Sequence, residues 1–213
     1  MHKLKSRATT QFRWWAPSYD LNPLQWFLFR PAHNILLKEI RLLGRPAPVV
    51  LDVGCGTGVL LRRLKAIYPG STVWGLDLSA HMLIRALPKN SHHDPFHVTQ
   101  GDSEFLPFSS ETFDAVVCAN SFHHYPRQHL VVREMRRILK PGGIACVIDG
   151  STDNLLGRLI FRGIVETVEG DVHHCSKDEY AALFNEGGFT DVRHASLFRG
   201  LPLQMTIGVV NEP

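Results

Sequence analysis

The chain has 213 residues, of which 44% are hydrophobic and 20% charged, and its formal net charge is +3 with the twelve histidines counted neutral. That length suits one globular domain with a substantial core, and the composition is not that of a disordered chain. A balance this close to neutral does not demand a nucleic-acid partner.

Charge and aromatic residues are uneven along the chain. Residues 1–38 hold Lys3, Lys5, Arg7, Arg13, Arg30 and Lys38 against the single acid Asp20, net +5, which leaves the remainder near −2. Trp14, Trp15, Trp26, Phe27 and Phe29 fall in the same stretch. Residues 1–45 therefore read as an N-terminal arm with lid helices, ahead of a domain over residues 46–213. Basic residues beside Trp and Phe suit a solvated tail, a lid packed on the domain, or a helix touching an anionic membrane surface. The run from Leu24 to Leu43 has helical spacing and is stopped by Gly44 and Pro46.

An alternating pattern then begins. Val49–Val53 is a short apolar strand running into glycines, followed by a helix over residues 57–67 and a stop at Pro69-Gly70. Thr72–Asp77 is the second strand, with Ser79 as N-cap of a helix from Ala80 to Leu87. Phe96–Thr99 and Phe113–Cys118 are strands three and four. A helix from Gln128 to Leu139 stops at Lys140-Pro141-Gly142-Gly143, and Ile144–Ile148 is strand five. Strands alternating with helices predict an α/β fold, a doubly wound, mostly parallel sheet with helices on both faces. Residues 154–168 read as helical, and a helix following Ser176 ends at Gly187-Gly188. Phe189–Leu197 and Leu203–Val210 are two last strands joined closely enough to pair antiparallel.

The cysteines Cys55, Cys118, Cys146 and Cys175 show no paired spacing, and two of them lie inside apolar strands. They suit a reducing, cytoplasmic setting. No apolar run approaches the ~18 residues that span a bilayer, and the N-terminus lacks a secretory core.

The strongest chemical signal is Leu51-Asp52-Val53-Gly54-Cys55-Gly56-Thr57-Gly58. Glycines between a strand and a helix let the backbone turn tightly and approach a ligand. Dinucleotide loops read G-x-G-x-x-G and receive a diphosphate. Here the spacing is G-x-G-x-G, with an acid two residues ahead, which suits a cationic ligand better. S-adenosylmethionine (SAM) has no phosphate and carries a sulfonium and an ammonium. Asp77 ends strand two about 20 residues on, where a carboxylate meets ribose hydroxyls. Leu78 follows it. Gly101, Asp102 and Ser103 follow strand three, where Asp102 suits the exocyclic amine of adenine. Asn120 and Ser121 follow strand four, facing the methyl donor.

In order and spacing these motifs resemble those of the class I SAM-dependent methyltransferases, in the branch similar to ubiquinone/menaquinone C-methyltransferases. LDVGCGTG resembles the family's SAM loop, Asp77 its ribose acid and Gly101-Asp102 its adenine-contacting pair. Leu106-Pro107-Phe108, Phe122-His123-His124-Tyr125, Leu139-Lys140-Pro141-Gly142-Gly143 and Asn185-Glu186-Gly187-Gly188-Phe189 resemble its later segments. The resemblance is close over residues 47–150 and loose over residues 176–210. It implies a Rossmann-like seven-stranded sheet of order 3-2-1-4-5-7-6 with strand seven reversed. It also implies cofactor contacts from Asp52, Gly54, Cys55, Gly56, Gly58, Asp77, Leu78, Gly101, Asp102, Ser103 and Asn120. Tyr19-Asp20 looks like a pair that related enzymes carry in a lid, which adds Tyr19.

The acceptor is less legible. In-line transfer from a sulfonium relies on alignment and desolvation, and a base is needed only if the acceptor loses a proton. His123 and His124, after strand four, are the expected bases, with Tyr125, His173 and His174 behind them. Neighbours on a strand point to opposite faces, so adjacent histidines chelate poorly, and no zinc motif is present. The expectation is a small-molecule acceptor, apolar or quinone-like, with no nucleic acid and no metal. A non-catalytic SAM-binding scaffold and an NAD(P)-dependent oxidoreductase stand as alternatives, and the oligomeric state is open.

Overall fold

The computed structural model of the protein describes residues 29–90, 92–165, 167, 172–196 and 202–212. Its centre is a seven-stranded sheet of order β3-β2-β1-β4-β5-β7-β6. The strands are β1 Val49–Val53, β2 Thr72–Asp77, β3 His97–Gln100, β4 Phe113–Ala119, β5 Leu139–Gly150, β6 Asp191–Ser196 and β7 Leu203–Val209. Strands β1 to β5 run parallel, whereas β7 pairs antiparallel with both β5 and β6. The expected order and the reversed seventh strand are both present.

The apolar runs explain the layering. Successive side chains on a strand face opposite ways. Val50, Ala115, Val117, Cys146 and Ile148 join one buried cluster, and Leu51, Val53, Val116, Cys118 and Val147 join the other. A sheet buried on both faces requires such continuous apolar strands.

Three helices cover the first face: α1 Arg30–Leu42, α2 Val59–Ile67 and α3 Ala80–Ala86. The sequence pattern assigns α1 to the arm, yet it buries Ala32, Leu36, Leu37 and Ile40 in the same core as β1 and β4. Each large aliphatic side chain among them contributes about 2 kcal/mol. Glu39 of α1 also pairs with Arg193 of β6 at 2.9 Å. The other face carries α4 Gln128–Ile138 and, after the short turn α5 Leu155–Gly157, the helix α6 Lys177–Glu186.

Two elements differ from expectation. β5 starts at Leu139, not Ile144, because Leu139 already pairs with Phe113 before the register shifts and Ile144 resumes opposite Ala115. The Lys-Pro-Gly-Gly turn is thus an irregularity inside the strand. Asp114 anchors that irregularity: it accepts the Val49 N–H at 2.7 Å and pairs with Lys140 at 2.9 Å and Arg45 at 3.0 Å. The predicted helix over residues 154–168 is the single turn α5 followed by π-helix over Arg158–Val165. The cysteines Cys55, Cys118, Cys146 and Cys175 are buried free thiols.

Candidate active site

The parallel strands end on one edge, and the segments that leave them build two adjoining cavities. Ligands of doubly wound sheets bind at that edge. The larger cavity encloses about 800 Å³ counted to its open mouth. Gly54 and Gly56 after β1, Asp77, Leu78 and Ser79 after β2, Gly101–Ser103 after β3, and Asn120, His124 and Tyr125 after β4 line it. The smaller, about 390 Å³, is lined by Asp52, Cys55, Thr57 and Leu60 of the glycine loop and by Phe29 and His33 of the N-terminal helix. Gly54, Gly56, Ala119 and Asn120 face both.

The loop takes this shape for local reasons. Gly54 and Gly56 have φ of +76° and +53°, a region costly to residues with a Cβ. A Cβ at Gly54 would stand 2.6 Å from the Tyr125 hydroxyl, whereas one at Gly56 would meet nothing within 4 Å and project into open space. The backbone nitrogens of Gly54 and Cys55 donate to Leu76 O at 2.7 and 3.0 Å, tying the loop to β2. Asp77 completes the tie: its Oδ2 accepts from Gly56 N and its Oδ1 from Ser79 N, both at 2.8 Å.

Two carboxylates, Asp52 and Asp77, share the edge. Burial, then the charge of Asp77, pushes Asp52 up to about 8. Burial also raises Asp77, against the two N–H bonds it accepts. Asp102 Oδ1 accepts from Glu104 N at 3.1 Å, and the buried Glu104 is gripped by Arg127, with Nε at 2.9 Å. This pairing locks the Asp102 loop to the segment after β4. Asn120 stands at φ +54°, an uncommon conformation for a residue with a side chain and one that clusters at functional sites.

Of the residues expected from sequence to meet a cofactor, Asp52, Gly54, Cys55, Gly56, Asp77, Leu78, Gly101, Asp102, Ser103 and Asn120 line one or both cavities. Gly58 lines neither; it caps α2 at φ +74°, and a Cβ there would stand 3.0 Å from the Ala86 Cβ. Tyr19 lies outside the described residues. The two expected bases separate. His124 is on the wall of the larger cavity, while His123 turns to Asp149, with Nδ1 2.7 Å from Oδ1. Burial, then His123, pushes His124 down to about 3, so its ring is neutral at physiological pH. Burial pushes the Tyr125 phenol well up, which makes it a poor base.

Sequence reasoning missed Asp149 and His33. Asp149 ends the apolar run Val147-Ile148, as Asp77 ends β2, and that parallel was a usable signal. His33 shares a helical face with Leu36, Leu37 and Ile40 and so reads as core. It is 7% exposed, its Nδ1 lacks a hydrogen-bond partner among the described residues, and burial, then Arg63, lowers it to about 4.

The chemistry of this edge fits SAM. A larger cavity with one acid after β2 and another after β3 suits a nucleoside. The adjoining smaller cavity holds a buried acid and an unpaired imidazole nitrogen, which suits a zwitterionic amino-acid end. Comparison with known proteins agrees. A methyltransferase-domain family model matches residues 51–147. A ubiquinone/menaquinone biosynthesis C-methyltransferase UbiE from Syntrophotalea carbinolica is 30% identical, with 87% of each chain covered. The chain belongs to the class I SAM-dependent methyltransferases, in their UbiE-like branch. A demethylmenaquinone methyltransferase of Staphylococcus aureus is 31% identical over 74% of each chain. The fold is shared with a SAM-dependent methyltransferase of Thermotoga maritima, at 19% identity and a TM-score of 0.73 over 95% of this chain and 99% of that one. This methyltransferase uses SAM as its methyl donor, and the oxidoreductase alternative falls away. Among the described residues, no helix is long and apolar enough to cross a membrane.

Proposed function

We propose that this methyltransferase transfers the methyl group to a ring carbon of a small, uncharged, quinone-like acceptor in its reduced, hydroxyl-bearing form. The observation that carries the reading is the chemistry of the wall after β4. Ala119, Asn120, Ser121, Tyr125 and Pro126 bear no formal charge there, and His124 is held neutral. Such a wall suits an apolar ring, and it offers neither a cation for a phosphate nor an anion for an ammonium. The names of the relatives, a ubiquinone/menaquinone C-methyltransferase and a demethylmenaquinone methyltransferase, support the same class. Leu155, Leu156 and Leu159, exposed on the segment that follows β5, suit an acceptor with an apolar tail or a membrane surface that carries one.

In this reading Asp77 holds the ribose hydroxyls, and Asp102 with Gly101, Leu78 and Ser103 holds the adenine. Asp52, Cys55 and the glycines after β1 hold the amino-acid end, and Asn120 closes the floor beneath the methyl group. When bound, SAM supplies an electrophilic methyl on a sulfonium. The protein aligns and desolvates the acceptor, an effect worth many orders of magnitude when geometry is right. Of the two expected bases, His124 lines the cavity and His123 lies against it, turned to Asp149.

The test is incubation of the purified enzyme with SAM and a short-chain reduced demethylmenaquinone analogue, in parallel with amines of similar size. Mass spectrometry follows the methylated product and S-adenosylhomocysteine. The reading expects carbon-methylated product from the quinol alone. Turnover confined to the amines would overturn it, and SAM binding without turnover of any acceptor would favour the non-catalytic alternative.

A further inference from the structure

Behind the cavity wall lies a second group of titratable side chains. Asp149 of β5 is 1% exposed. Its Oδ2 accepts the His123 backbone N–H at 3.0 Å, and its Oδ1 accepts Gly150 N at 2.7 Å and faces His123 Nδ1 at 2.7 Å. His174 Nδ1 stands 3.6 Å from the same oxygen, within ion-pair range but beyond a hydrogen bond. His174 is 5% exposed, and among the described residues neither of its ring nitrogens has a partner within hydrogen-bond distance. Leaving polar atoms so buried and unpaired costs about 1–3 kcal/mol each. Gly150 permits the approach, since a Cβ there would stand 2.7 Å from His174 Nδ1.

The rings form a column that ends at the cavity. Phe161 lies against His174 at 4.4 Å between centroids, His174 against His123 at 4.3 Å, and His123 against His124 at 4.1 Å. The His123 and His174 planes differ by only 22°. Both Nδ1 atoms face one and the same oxygen of Asp149, at 2.7 and 3.6 Å. That geometry suits a proton shared through the carboxylate better than one ion chelated by all three groups. One carboxylate balances one imidazolium, and a second positive charge about 4 Å away is repelled.

Resting on the quinol reading above, we propose that His123, Asp149 and His174 form a single proton-accepting unit that deprotonates a hydroxyl-bearing ring acceptor as it is methylated. The acceptor's hydroxyl O–H bond breaks and its electron pair stays on the acceptor, feeding the ring carbon that forms the new carbon–carbon bond as the methyl group's bond to the donor sulfur breaks and the neutral thioether leaves with that pair. The proton leaves the cavity by way of water and forms an N–H bond on His123, which lies one ring behind His124. The Nδ1–H of His123 points to Asp149, so Nε2 is the basic nitrogen, and the carboxylate balances the imidazolium charge. Asp149 and His174 are positioning residues: Asp149 sets the tautomer and orients the ring, and His174 limits the unit to one proton. As the ring regains aromaticity the methylated ring carbon loses its proton to water and the acceptor oxygen takes one back from His123, so each turnover releases one proton.

Several described neighbours do not compete with this unit for its proton. His124 on the same turn is neutral. Burial pushes Cys118 of β4 and Cys175 to about 12 and Tyr180 of α6 well above its usual value. Glu179, which adds charge near Cys175 and Tyr180, is engaged in the cap of α6. Both histidines lie near Asp149 and hold its carboxyl well below the usual range, against the opposing effect of burial.

The experiment combines ¹⁵N-histidine NMR titration with pH–rate profiles of the full-length enzyme, Asp149→Asn and His174→Phe. His174→Phe preserves the ring column and guards against a fold lost with Asp149. In the wild type, the two rings are expected to take up one proton between them. Removing the carboxylate removes what favours the imidazolium, so His123 titrates at lower pH in Asp149→Asn. Removing the competing base does the reverse, so it titrates at higher pH in His174→Phe. The acidic limb of kcat is expected to follow in the same opposite directions. Asp149→Asn is expected to lose roughly 100-fold in kcat with little change in SAM affinity. It should recover most of that loss with an acceptor whose hydroxyl is already ionised. Independent titration of the two rings, unmoved by either substitution, or stoichiometric zinc in the purified protein, would overturn the shared proton. Equal loss with ionised and un-ionised acceptors would reduce Asp149 to a structural role. The NMR arm needs no acceptor, so it still decides for or against the shared proton if the quinol reading fails.

Discussion

Asp52 is 3% exposed, and burial, then Asp77, sets its pKa at about 8 against an ordinary value of 3.8. Without ligand it is protonated at neutral pH. A cationic group beside it favours the ionised form, so SAM binding should release a proton. Affinity should then rise by about tenfold per pH unit and level off near pH 8. The stability effect has the opposite sense. A raised carboxyl pKa means that the folded state holds its proton more tightly, so the contribution is complete below pH 3.8 and is lost as pH climbs towards 8. Calorimetry in two buffers of different ionisation enthalpy counts the released proton, and none released would remove Asp52 from the cationic role. Asp77 makes a different case, because its two oxygens already brace Gly56 and Ser79. Asp77→Asn turns one of those acceptors into a donor facing an N–H. SAM affinity should fall roughly 10- to 100-fold, the worth of one charge-assisted hydrogen bond. Titration calorimetry reads this directly, and unchanged affinity would exclude Asp77 from the ribose contact.

At the scale of elements, legibility followed punctuation. β1 and β2 are short apolar runs closed by glycine, proline or a capping serine, and each lies where the pattern put it. The helix after Ser176 was legible for the same reason. Ser176 Oγ accepts from Glu179 N, while the Glu179 carboxylate accepts from Ser176 N at 2.7 Å. This reciprocal cap should make Ser176→Ala cost about 1 kcal/mol. Thermal or urea unfolding would show it, and an unchanged midpoint would mean that packing of Tyr180 and Phe184 alone sets the helix. Where a signal had two meanings, pattern misled. Lys140-Pro141-Gly142-Gly143 looks like a chain reversal, but long-range pairing of Leu139 with Phe113 absorbs it into β5. Residues 158–165 have helical spacing, yet hydrogen-bond as a π-helix, which spacing does not distinguish. The site was legible where chemistry sits beside a strand end in sequence. It was not legible where a residue meets the site from a distant segment, as His33 and Asp149 each do.

For the molecule as a whole, the consequence is that one edge of the sheet is unfinished without its ligand. Asp52 is buried beside the carboxyl of Asp77, and among the described residues His33 Nδ1 is buried without a partner and a Cβ at Gly56 would meet nothing within 4 Å. A ligand that satisfies these groups binds the folded state alone and must stabilise it. At about one hundred times its dissociation constant, SAM should add about 2.7 kcal/mol. In a domain of this size that corresponds to a rise in Tm of roughly 5–10 °C. S-adenosylhomocysteine keeps the nucleoside and amino-acid ends and should act similarly, although it lacks the sulfonium charge. NADH brings a diphosphate to a loop of G-x-G-x-G spacing beside a buried acid, and it should leave Tm unchanged. Thermal scans with the three ligands in parallel separate the possibilities. A shift with NADH and none with SAM would mean that the charge at Asp52 does not govern this edge. The expected pattern would tie Asp52, His33 and the Gly56 loop to one cofactor, with Asp52→Asn losing its pH dependence and keeping the rest.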